Sequence, residues 1–450
     1  MQCKITVDKH VSFKNIYAIG ANVKSVGLQM CRRHWLGVCL VLLLMGGMPV
    51  STFAQQQNQQ DSLGLKEVLD KNRYPLQLND GQLVGKGGEW LREQARKATL
   101  VTVGESHGSK EIPAIVKALV TDLQKADEFD HLAIEVSPWT TQKMTTLLEQ
   151  SREVYDEFIG QHPHAVPFYN FKTEADLLQR AVQGSNAKRP IWGLDQIFAF
   201  ATNMAFKRLQ ELAPTNTARV AIKDIRSIGK KRSADHPQLQ KLPAGIPTPV
   251  SVYRPATFDT LRKHFTGIAE AQQILSELAK STAIYRTNDS NNYKSNQLRA
   301  QYLRDNLRMA TMQSRRSLEE TPNIVIKVGA RHAYRTMTPN NALDVGNLAV
   351  SLARSMGGEA FNVAIVCGAG STIRAFPDRT TQCSSDYLGK SLKSLATEQA
   401  MVFDLSEVHP KLHTNSLDLN RSLEEFLWGF DAVVLVPNTT PAALIKASQK

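Results

Sequence analysis

Short apolar runs recur along the chain, and several of them end at a glycine or a polar turn. The first, Leu100–Val103, stops at Gly104 and is followed by apolar residues at helical spacing: Ile112, Ile115, Val116, Leu119 and Leu123. Spacings of three and four residues place these side chains on one face of a helix. The pattern therefore predicts a buried strand, a polar turn and an amphipathic helix over residues 98–125.

The same alternation of strand-like and helix-like segments continues to the end of the chain. Further buried strands are predicted at 131–136, 189–194, 323–328, 362–366, 400–403 and 432–436, and helices at 197–212, 257–285 and 292–316. Strands that alternate with helices favour a mostly parallel sheet covered on both faces. The predicted fold class is three-layer α/β, with a helical insertion at about 197–317 over the active-site end of the sheet.

Residues 214–255 interrupt this pattern. They are rich in Pro, Lys and Arg and show weak periodicity. Long irregular segments within a compact domain are typical of lids and excursions. We therefore predict an irregular lid-like segment inside the helical insertion.

The amino-terminal part has the order of a secretory signal peptide. Basic Arg32 and Arg33 precede an apolar stretch, and small residues lead to a predicted cleavage site after Ala54. The predicted organisation is an upstream extension at 1–29, a signal peptide at 30–54, a flexible Gln-rich segment at 55–61 and a single α/β domain at 62–450. The protein is expected to be exported, periplasmic or secreted, with no stable transmembrane segment after cleavage. A retained signal anchor is the alternative.

Charge and cysteine content change this picture little. Removal of residues 1–54 leaves 48 Lys/Arg against 41 Asp/Glu, since six and one are lost from 54 and 42, for a net charge of +7. The basic residues are spread out, so no nucleic-acid partner is predicted and a small-molecule or peptide substrate is expected. Cys367 and Cys383 remain as either a disulfide or two free thiols.

Four predicted strands end in polar side chains that could carry chemistry: Glu105 with His107, Glu135, Asp195, and Arg331 with His332. The carboxyl ends of parallel strands meet at one side of an open sheet, so these residues are predicted to share a crevice. Each also has a structural explanation. Asp195 could cap a helix, Glu135 could pair with an arginine, and either histidine could serve a turn or a carbonyl.

A repeated pattern favours the functional interpretation. Gly104–His107 and Gly329–His332 both have the form Gly-x-x-His, and both follow an apolar strand. Glycine lets the chain turn sharply, so a histidine three residues later can point back across the edge of the sheet.

These motifs carry a family resemblance. The Gly-Glu-Ser-His-Gly turn at 104–108, Ile134-Glu135 and the segment from Lys327 to Arg335 resemble the superfamily that unites erythromycin esterases, ChaN-like haem-binding proteins and TraB/Tiki proteases. The resemblance covers about residues 95–440. The spacing from Glu105 to His107 is one residue shorter than in erythromycin esterases and is similar to the ChaN and Tiki branch, which disfavours macrolide hydrolysis.

The resemblance implies a hydrolase that acts on an ester, lactone or amide bond. In an esterase-like mechanism His107 would be the base for an attacking water, and Glu105 or Glu135 would orient its imidazole. Arg331 or Arg335 would stabilise the oxyanion, and Asp195 would contact substrate.

Two other possibilities follow from the same resemblance. In a Tiki-like protein His107, His332 and Glu135 would bind a divalent metal that activates the water. In a ChaN-like protein the chain would bind haem or another small molecule without catalysis, with Tyr285 and Tyr334 as available iron ligands. The sequence does not decide which cofactor, if any, is used.

Overall fold

The computed structural model describes residues 64–446, apart from 238, 242–245, 316–320, 376–377, 384–387, 389–391, 393 and 396. These residues belong to one compact unit that spans Gln60–Lys450. The predicted extension, signal peptide and Gln-rich segment, residues 1–61, lie outside the described residues.

A ten-stranded sheet forms the centre of this unit, with neighbours in the order β2-β1-β9-β10-β7-β3-β6-β4-β5 and β8 paired to β7. The strands are β1 Arg73–Asn79, β2 Gln82–Val84, β3 Leu100–Glu105, β4 His131–Ile134, β5 Ile191–Gly193, β6 Ile324–Gly329, β7 Ala360–Ala375, β8 Asp378–Gln382, β9 Ala400–Asp404 and β10 Ala432–Thr439. The run from β10 to β5 is parallel, whereas β1, β2, β8 and β9 pair antiparallel. The predicted mostly parallel α/β sheet is confirmed.

The register of the two central strands positions both Gly-x-x-His turns. β3 and β6 are parallel neighbours, with Leu100 opposite Ile324 and Glu105 opposite Gly329. Every residue of both strands is buried, as expected of central strands covered on both faces. The turns that carry His107 and His332 therefore begin at the same level of the sheet.

Helices cover both faces. In chain order they are α1 64–71, α2 Gly85–Lys97, α3 Glu111–Lys125, α4 Pro138–Gln150, α5 Arg152–Gln161, α6 Lys172–Gln183, α7 Thr202–Glu211, α8 Asn216–Ala234, α9 Pro255–Arg262, α10 Ala269–Ser290, α11 Asn292–Ser314, α12 Val345–Ser355, α13 Val408–His413 and α14 Arg421–Trp428. Val103 packs in one core cluster with Leu119 of α3. Leu100 packs in another with Leu303 of α11 and Ala349 of α12. The same strand thus contributes to two hydrophobic cores, which gives the predicted three layers.

The helical insertion differs from its prediction in three places. The helix predicted over 197–212 is α7, which begins only at Thr202. Residues 216–234, predicted to be irregular, form helix α8, whose start is capped by the Thr215 side chain accepting from the Ala218 amide. Only Ala218, Ile222 and Gly229 of this helix are buried, so it shows almost no apolar stripe. The helix predicted over 257–285 is two helices, α9 and α10, because the chain breaks at Gly267 with φ of +80°.

Strand β7 is much longer than the predicted 362–366 segment. Beyond the sheet it pairs with β8 as a hairpin, and a disulfide joins Cys367 to Cys383. The extension is rich in Gly, Ser and Thr, so the apolar pattern stops before the strand does. The Ile373 amide donates to the Gly108 carbonyl at 2.9 Å, which fixes the hairpin beside the His107 turn.

None of the helices among the described residues is long and apolar enough to cross a bilayer.

Candidate functional site

A cavity of about 960 Å³ lies beyond the carboxyl ends of the central strands. Most of its lining comes from three parts of the chain: the turns after β3, β4, β5 and β6, the helical insertion, and the β7–β8 hairpin. The segment before α6 adds Phe168, and α14 adds Glu425. The insertion contributes Phe198, Tyr285 and Arg299, and the hairpin contributes Thr372, Arg374 and Thr381. The parallel sheet has therefore gathered its polar strand ends around one space, as the sequence predicts.

His107 projects into this cavity from the turn that follows β3. Its Nδ1 atom lies 2.7 Å from Oε1 of Glu105, and its ring stacks on Phe168 with centroids 3.8 Å apart. Gly108 completes the turn with φ of +84°, and a Cβ there would lie 2.0 Å from the Ile373 carbonyl oxygen. The imidazole is therefore held on one nitrogen and one face, while its side chain remains 22% exposed.

Behind Glu105 lies a fully buried ion cluster. The ammonium group of Lys327, on β6, donates to Oε1 of Glu105 at 2.6 Å and to Oε1 of Glu174 at 2.9 Å. Its side chain is 0% exposed and lies 5.1 Å from the centroid of the Tyr169 ring. A buried charge requires partners of opposite sign, and here one cation serves two carboxylates.

His332 has a carboxylate partner of its own. Its Nδ1 atom lies 2.7 Å from Oδ2 of Asp344, whose other oxygen accepts from the Val345 amide at the start of α12. Asp344 therefore has two structural roles: it caps helix α12, and it fixes the orientation of the His332 imidazole.

Glu135 stands between the two histidines. Its Oε2 atom lies 3.6 Å from Nε2 of His107, and its Oε1 atom lies 3.6 Å from Nε2 of His332. The Gly329 amide donates to Oε2 at 2.7 Å, and Arg299 donates to Oε1 at 2.6 Å. One central carboxylate is thus flanked by two histidine–carboxylate pairs.

Arg299, from α11 of the insertion, links two of the strand ends. Its Nε and Nη2 atoms donate to the two oxygens of Asp195 at 3.0 and 2.5 Å, and Nη2 also reaches Glu135. This two-point contact suits the planar guanidinium group and adds geometric specificity. The insertion is therefore tied directly to the site.

These contacts shift the pKa values of the histidines upward. Burial alone would lower the pKa of His107, but hydrogen bonds and charge from Glu105 and Glu135 raise it to about 9. Burial likewise opposes the charged form of His332, and Asp344 and Glu135 raise its pKa above the ordinary value. His107 therefore favours the protonated form near neutral pH, and the protonated form of His332 is favoured more than in an ordinary histidine.

The carboxyl groups respond in two ways. Burial would raise the pKa of Glu135, but His332, His107 and Arg299 hold it well below its usual value. Glu105 is also held below its usual pKa, because Lys327 and His107 outweigh its burial. Burial dominates at Glu174 and raises its pKa to about 7, despite the neighbouring ammonium.

Most of the residues predicted from sequence meet in this structure. Glu105, His107, Glu135, Asp195 and His332 converge on the cavity, and Arg331 lines it with an exposed side chain.

Arg335 lies apart from the other predicted residues, because it does not line the cavity. Its guanidinium group pairs with Asp431, just before β10, and its amide donates to the Gly429 carbonyl. After His332 the chain turns back toward the end of α14, which places Arg335 outside the cavity lining.

Several residues of the network were not predicted from sequence: Phe168, Glu174, Arg299, Lys327 and Asp344. Lys327 left a signal, since it is a charged residue inside the apolar run 323–328. Arg299 has no such signal in the sequence, because it lies on a long polar helix and contacts Glu135 across 164 residues of sequence.

The predicted metal set does not fit this geometry. Among the described residues no group of three His, Cys, Asp or Glu side chains is arranged to hold a metal ion. Glu135 is already engaged by the guanidinium group of Arg299, whose positive charge opposes a cation at that carboxylate.

Haem binding stays a prediction. Tyr285 and Tyr334 both line the cavity. However, burial raises the pKa of the Tyr285 hydroxyl to about 12, which disfavours a tyrosinate ligand, and the Tyr334 ring packs 4.9 Å from that of Phe430.

Comparison with solved structures places this architecture among known folds. A Bacillus cereus protein has a TM-score of 0.55 at 14% identity, covering 85% of this chain and 99% of its own. A succinoglycan biosynthesis protein scores 0.54 at 15%, covering 86% and 99%. A mutant of erythromycin esterase EreC in its open conformation scores 0.51 at 13%, covering 83% and 99%. The chain thus has the α/β fold shared by these proteins.

One of these proteins is an erythromycin esterase, and the two Gly-x-x-His motifs resemble those of a superfamily that contains such esterases. The resemblance is therefore confirmed at the level of fold. No protein-family model matches the chain, and no curated protein sequence matches it.

Proposed function

We propose that this protein is a hydrolase that uses histidine-assisted attack of water on an ester, lactone or amide bond. The observation that carries the proposal is the position of Glu135 between two imidazoles, each fixed at Nδ1 by its own carboxylate. Such an arrangement brings both Nε2 atoms to the Glu135 carboxylate, and it lies in a cavity large enough for a small molecule or a short peptide.

His107 is the proposed base. In its neutral form Nε2 takes a proton from water while the water oxygen attacks the carbonyl carbon, and Glu105 stabilises the imidazolium that forms. Because the pKa of His107 is raised to about 9, the neutral form is the minor one at pH 7. The proposal therefore predicts activity that rises with pH.

His332 is the proposed acid. Asp344 and Glu135 raise its pKa and so favour its protonated form, which can donate the Nε2 proton to the leaving oxygen or nitrogen as the carbonyl–heteroatom bond breaks. Arg331 is the cation proposed to stabilise the oxyanion, a role worth ~2.7 to 4 kcal/mol in comparable sites. Glu135, held ionised, stabilises both imidazolium forms and stays unprotonated throughout.

We also propose that the protein is exported. The order of residues 30–54 is that of a signal peptide, and the Cys367–Cys383 disulfide is of a kind that persists in oxidising compartments. Amino-terminal sequencing of the protein from a periplasmic or culture fraction should find Gln55 first. A product that retains residues 30–54 in the membrane fraction would contradict this.

The catalytic proposal is tested with purified chain from Gln55 on phenyl esters, a lactone and peptide anilides. His107→Ala should lower kcat by about 10²- to 10⁴-fold, the usual contribution of a positioned base. His413→Ala, an exposed histidine on α13, is the matched control and should leave kcat unchanged. Circular dichroism checks that both variants are folded. Equal activity in folded His107→Ala and wild type would reject the assignment.

A further inference from the structure

Positive charge remains unpaired at the rim of the cavity. Arg331, from the turn after β6, and Arg374, from β7, both line the cavity and are exposed. Within the part of the chain that the structure describes, no carboxylate pairs with either. The rim therefore presents guanidinium groups that are available to a ligand.

A second observation comes from the register of the hairpin. Arg374 lies directly opposite Arg379 in the antiparallel β7–β8 pair. Both share a face with Thr372 and Thr381, which are also opposite each other and line the cavity, because alternate residues of a strand point the same way. Like charges directly opposite each other destabilise a strand pair. An anion held between the two guanidinium groups would offset this repulsion.

The acidic residues deeper in the cavity do not balance these arginines, because they already have partners. Glu135 and Asp195 are bound by Arg299, and Glu105 is bound by Lys327. Glu425, another lining residue, accepts from Arg421 at 2.6 Å. The excess positive charge is therefore confined to the rim.

Another part of the cavity wall is apolar. Phe168 stacks on His107, and Phe198 and Tyr285 of the insertion complete an aromatic lining. Aromatic side chains give large contact area to apolar or ring-bearing groups. The cavity thus offers an apolar wall, a reacting centre at the histidines and a cationic rim.

We propose that the substrate is an anionic ester, lactone or amide, in which an apolar body lies on the aromatic wall and a carboxylate or phosphate binds Arg374 and Arg379. This rests on the proposed hydrolase function. Guanidinium groups match both oxyanions with paired hydrogen bonds, so the two anions share one recognition chemistry.

The test compares two esters that differ in one charge. 4-Acetoxybenzoate carries a carboxylate, and methyl 4-acetoxybenzoate is its neutral counterpart. The wild-type protein should hydrolyse the anion with roughly 10-fold higher kcat/KM, mainly through a lower KM, as expected for charge-assisted hydrogen bonds at a partly exposed site. Arg374→Gln and Arg379→Gln should each reduce this preference while leaving kcat/KM for the neutral ester unchanged.

Arg219→Gln is the matched control, since it removes one exposed positive charge from α8, which contributes no residue to the cavity lining. It should keep the full preference. Equal kcat/KM for the two esters in wild type, or a preference that persists in both hairpin variants, would overturn the proposal.

A binding measurement separates this inference from the hydrolase proposal. Calorimetry with 4-acetamidobenzoate, its methyl ester and 4-acetamidophenyl phosphate requires no turnover. One outcome would support the anion site and reject the catalytic proposal. In it, neither 4-acetoxybenzoate nor its methyl ester is hydrolysed, but an anionic probe binds more tightly than methyl 4-acetamidobenzoate, and Arg374→Gln abolishes the difference in affinity. The tighter of the two anions identifies the preferred group. Binding no tighter than that of the methyl ester rejects the anion site.

Discussion

Gly329 lies so close to His107 that a Cβ atom on the glycine would stand 2.6 Å from Nε2 of the imidazole. The same Cβ would lie 3.3 Å from Oε2 of Glu135. The glycine of the second Gly-x-x-His motif therefore makes room for the histidine of the first. This explains why two motifs on neighbouring strands depend on each other.

Gly329→Ala should displace the imidazole rather than unfold the protein, because the atom it meets is the far end of a side chain. A displacement near 1 Å at a reacting group costs roughly 10²-fold in rate. We expect a comparable loss in kcat for a chromogenic ester, with little change in Tm. Gly368→Ala, whose Cβ would lie 3.3 Å from the Leu435 side chain and 3.4 Å from the Val436 carbonyl oxygen, is the control. Full activity in Gly329→Ala would show that the position of His107 does not matter.

The charge on Glu105 sets much of the proton affinity of His107. Glu105→Gln keeps an oxygen near Nδ1 but removes the negative charge, so the pKa of His107 should fall from about 9 toward its ordinary value. The rise of kcat/KM with pH should then move to lower pH. NMR titration of the imidazole measures the pKa directly.

Glu425→Gln, which removes a carboxylate from the cavity lining outside the histidine network, should leave both the titration and the rate profile unchanged. An unmoved profile in Glu105→Gln would exclude His107 as the base.

The sequence was sufficient for those parts of the site that are local. Apolar runs locate β3, β4, β5 and β6, and a parallel sheet brings the carboxyl ends of such strands together. Glu105, His107, Glu135, Asp195 and His332 follow from that argument without coordinates.

The sequence did not predict contacts between residues that are far apart along the chain. Arg299 reaches Asp195 from a helix more than 100 residues away, and nothing local marks it. Arg335 shows the converse, since it is near His332 in sequence but the chain turns back to Gly429 and places it outside the cavity lining. Helix α8 was missed because it buries little, which leaves the helical period without an apolar stripe.

Asp344→Asn separates the helix-capping role of Asp344 from its effect on the pKa of His332. Asparagine caps helices about as well as aspartate, so α12 should keep its start, but His332 loses a negative neighbour and its pKa should fall. An acid with a lower pKa loses its proton at lower pH, so the fall of kcat/KM on the alkaline side should move to lower pH. Asp344→Ala should also lower the free energy of unfolding by ~1 kcal/mol, because the cap is lost. If the alkaline limb of Asp344→Asn matches that of wild type, His332 is not the acid.

Lys327→Met should destabilise the fold strongly, because it leaves Glu105 and Glu174 buried without their shared cation. Removal of one partner of a buried ion cluster typically costs ~3–5 kcal/mol. The double variant Lys327→Met/Glu174→Gln should lose less stability than Lys327→Met alone, since one of the two buried carboxylates left without a cation has been removed. Urea unfolding of the two single variants and the double variant measures this coupling. Lys71→Met, at an exposed lysine that pairs with Glu67, is the control and should change little.

The pH dependence of Lys327→Met gives the cluster a second signature. Without the ammonium group, the pKa of Glu174 should rise further above its unfolded value, and the pKa of Glu105 should no longer be held below its own. The native state then binds more protons than the unfolded state, so the free energy of unfolding should fall as pH rises from about 4.5. In the wild type, the folded pKa of Glu174 is already raised to about 7. Glu174 therefore also makes the free energy of unfolding fall as pH rises, but over a narrower pH range, from its ordinary pKa to about 7. A Lys327→Met variant with the same pH dependence as wild type would mean that Lys327 does not hold these carboxylates ionised.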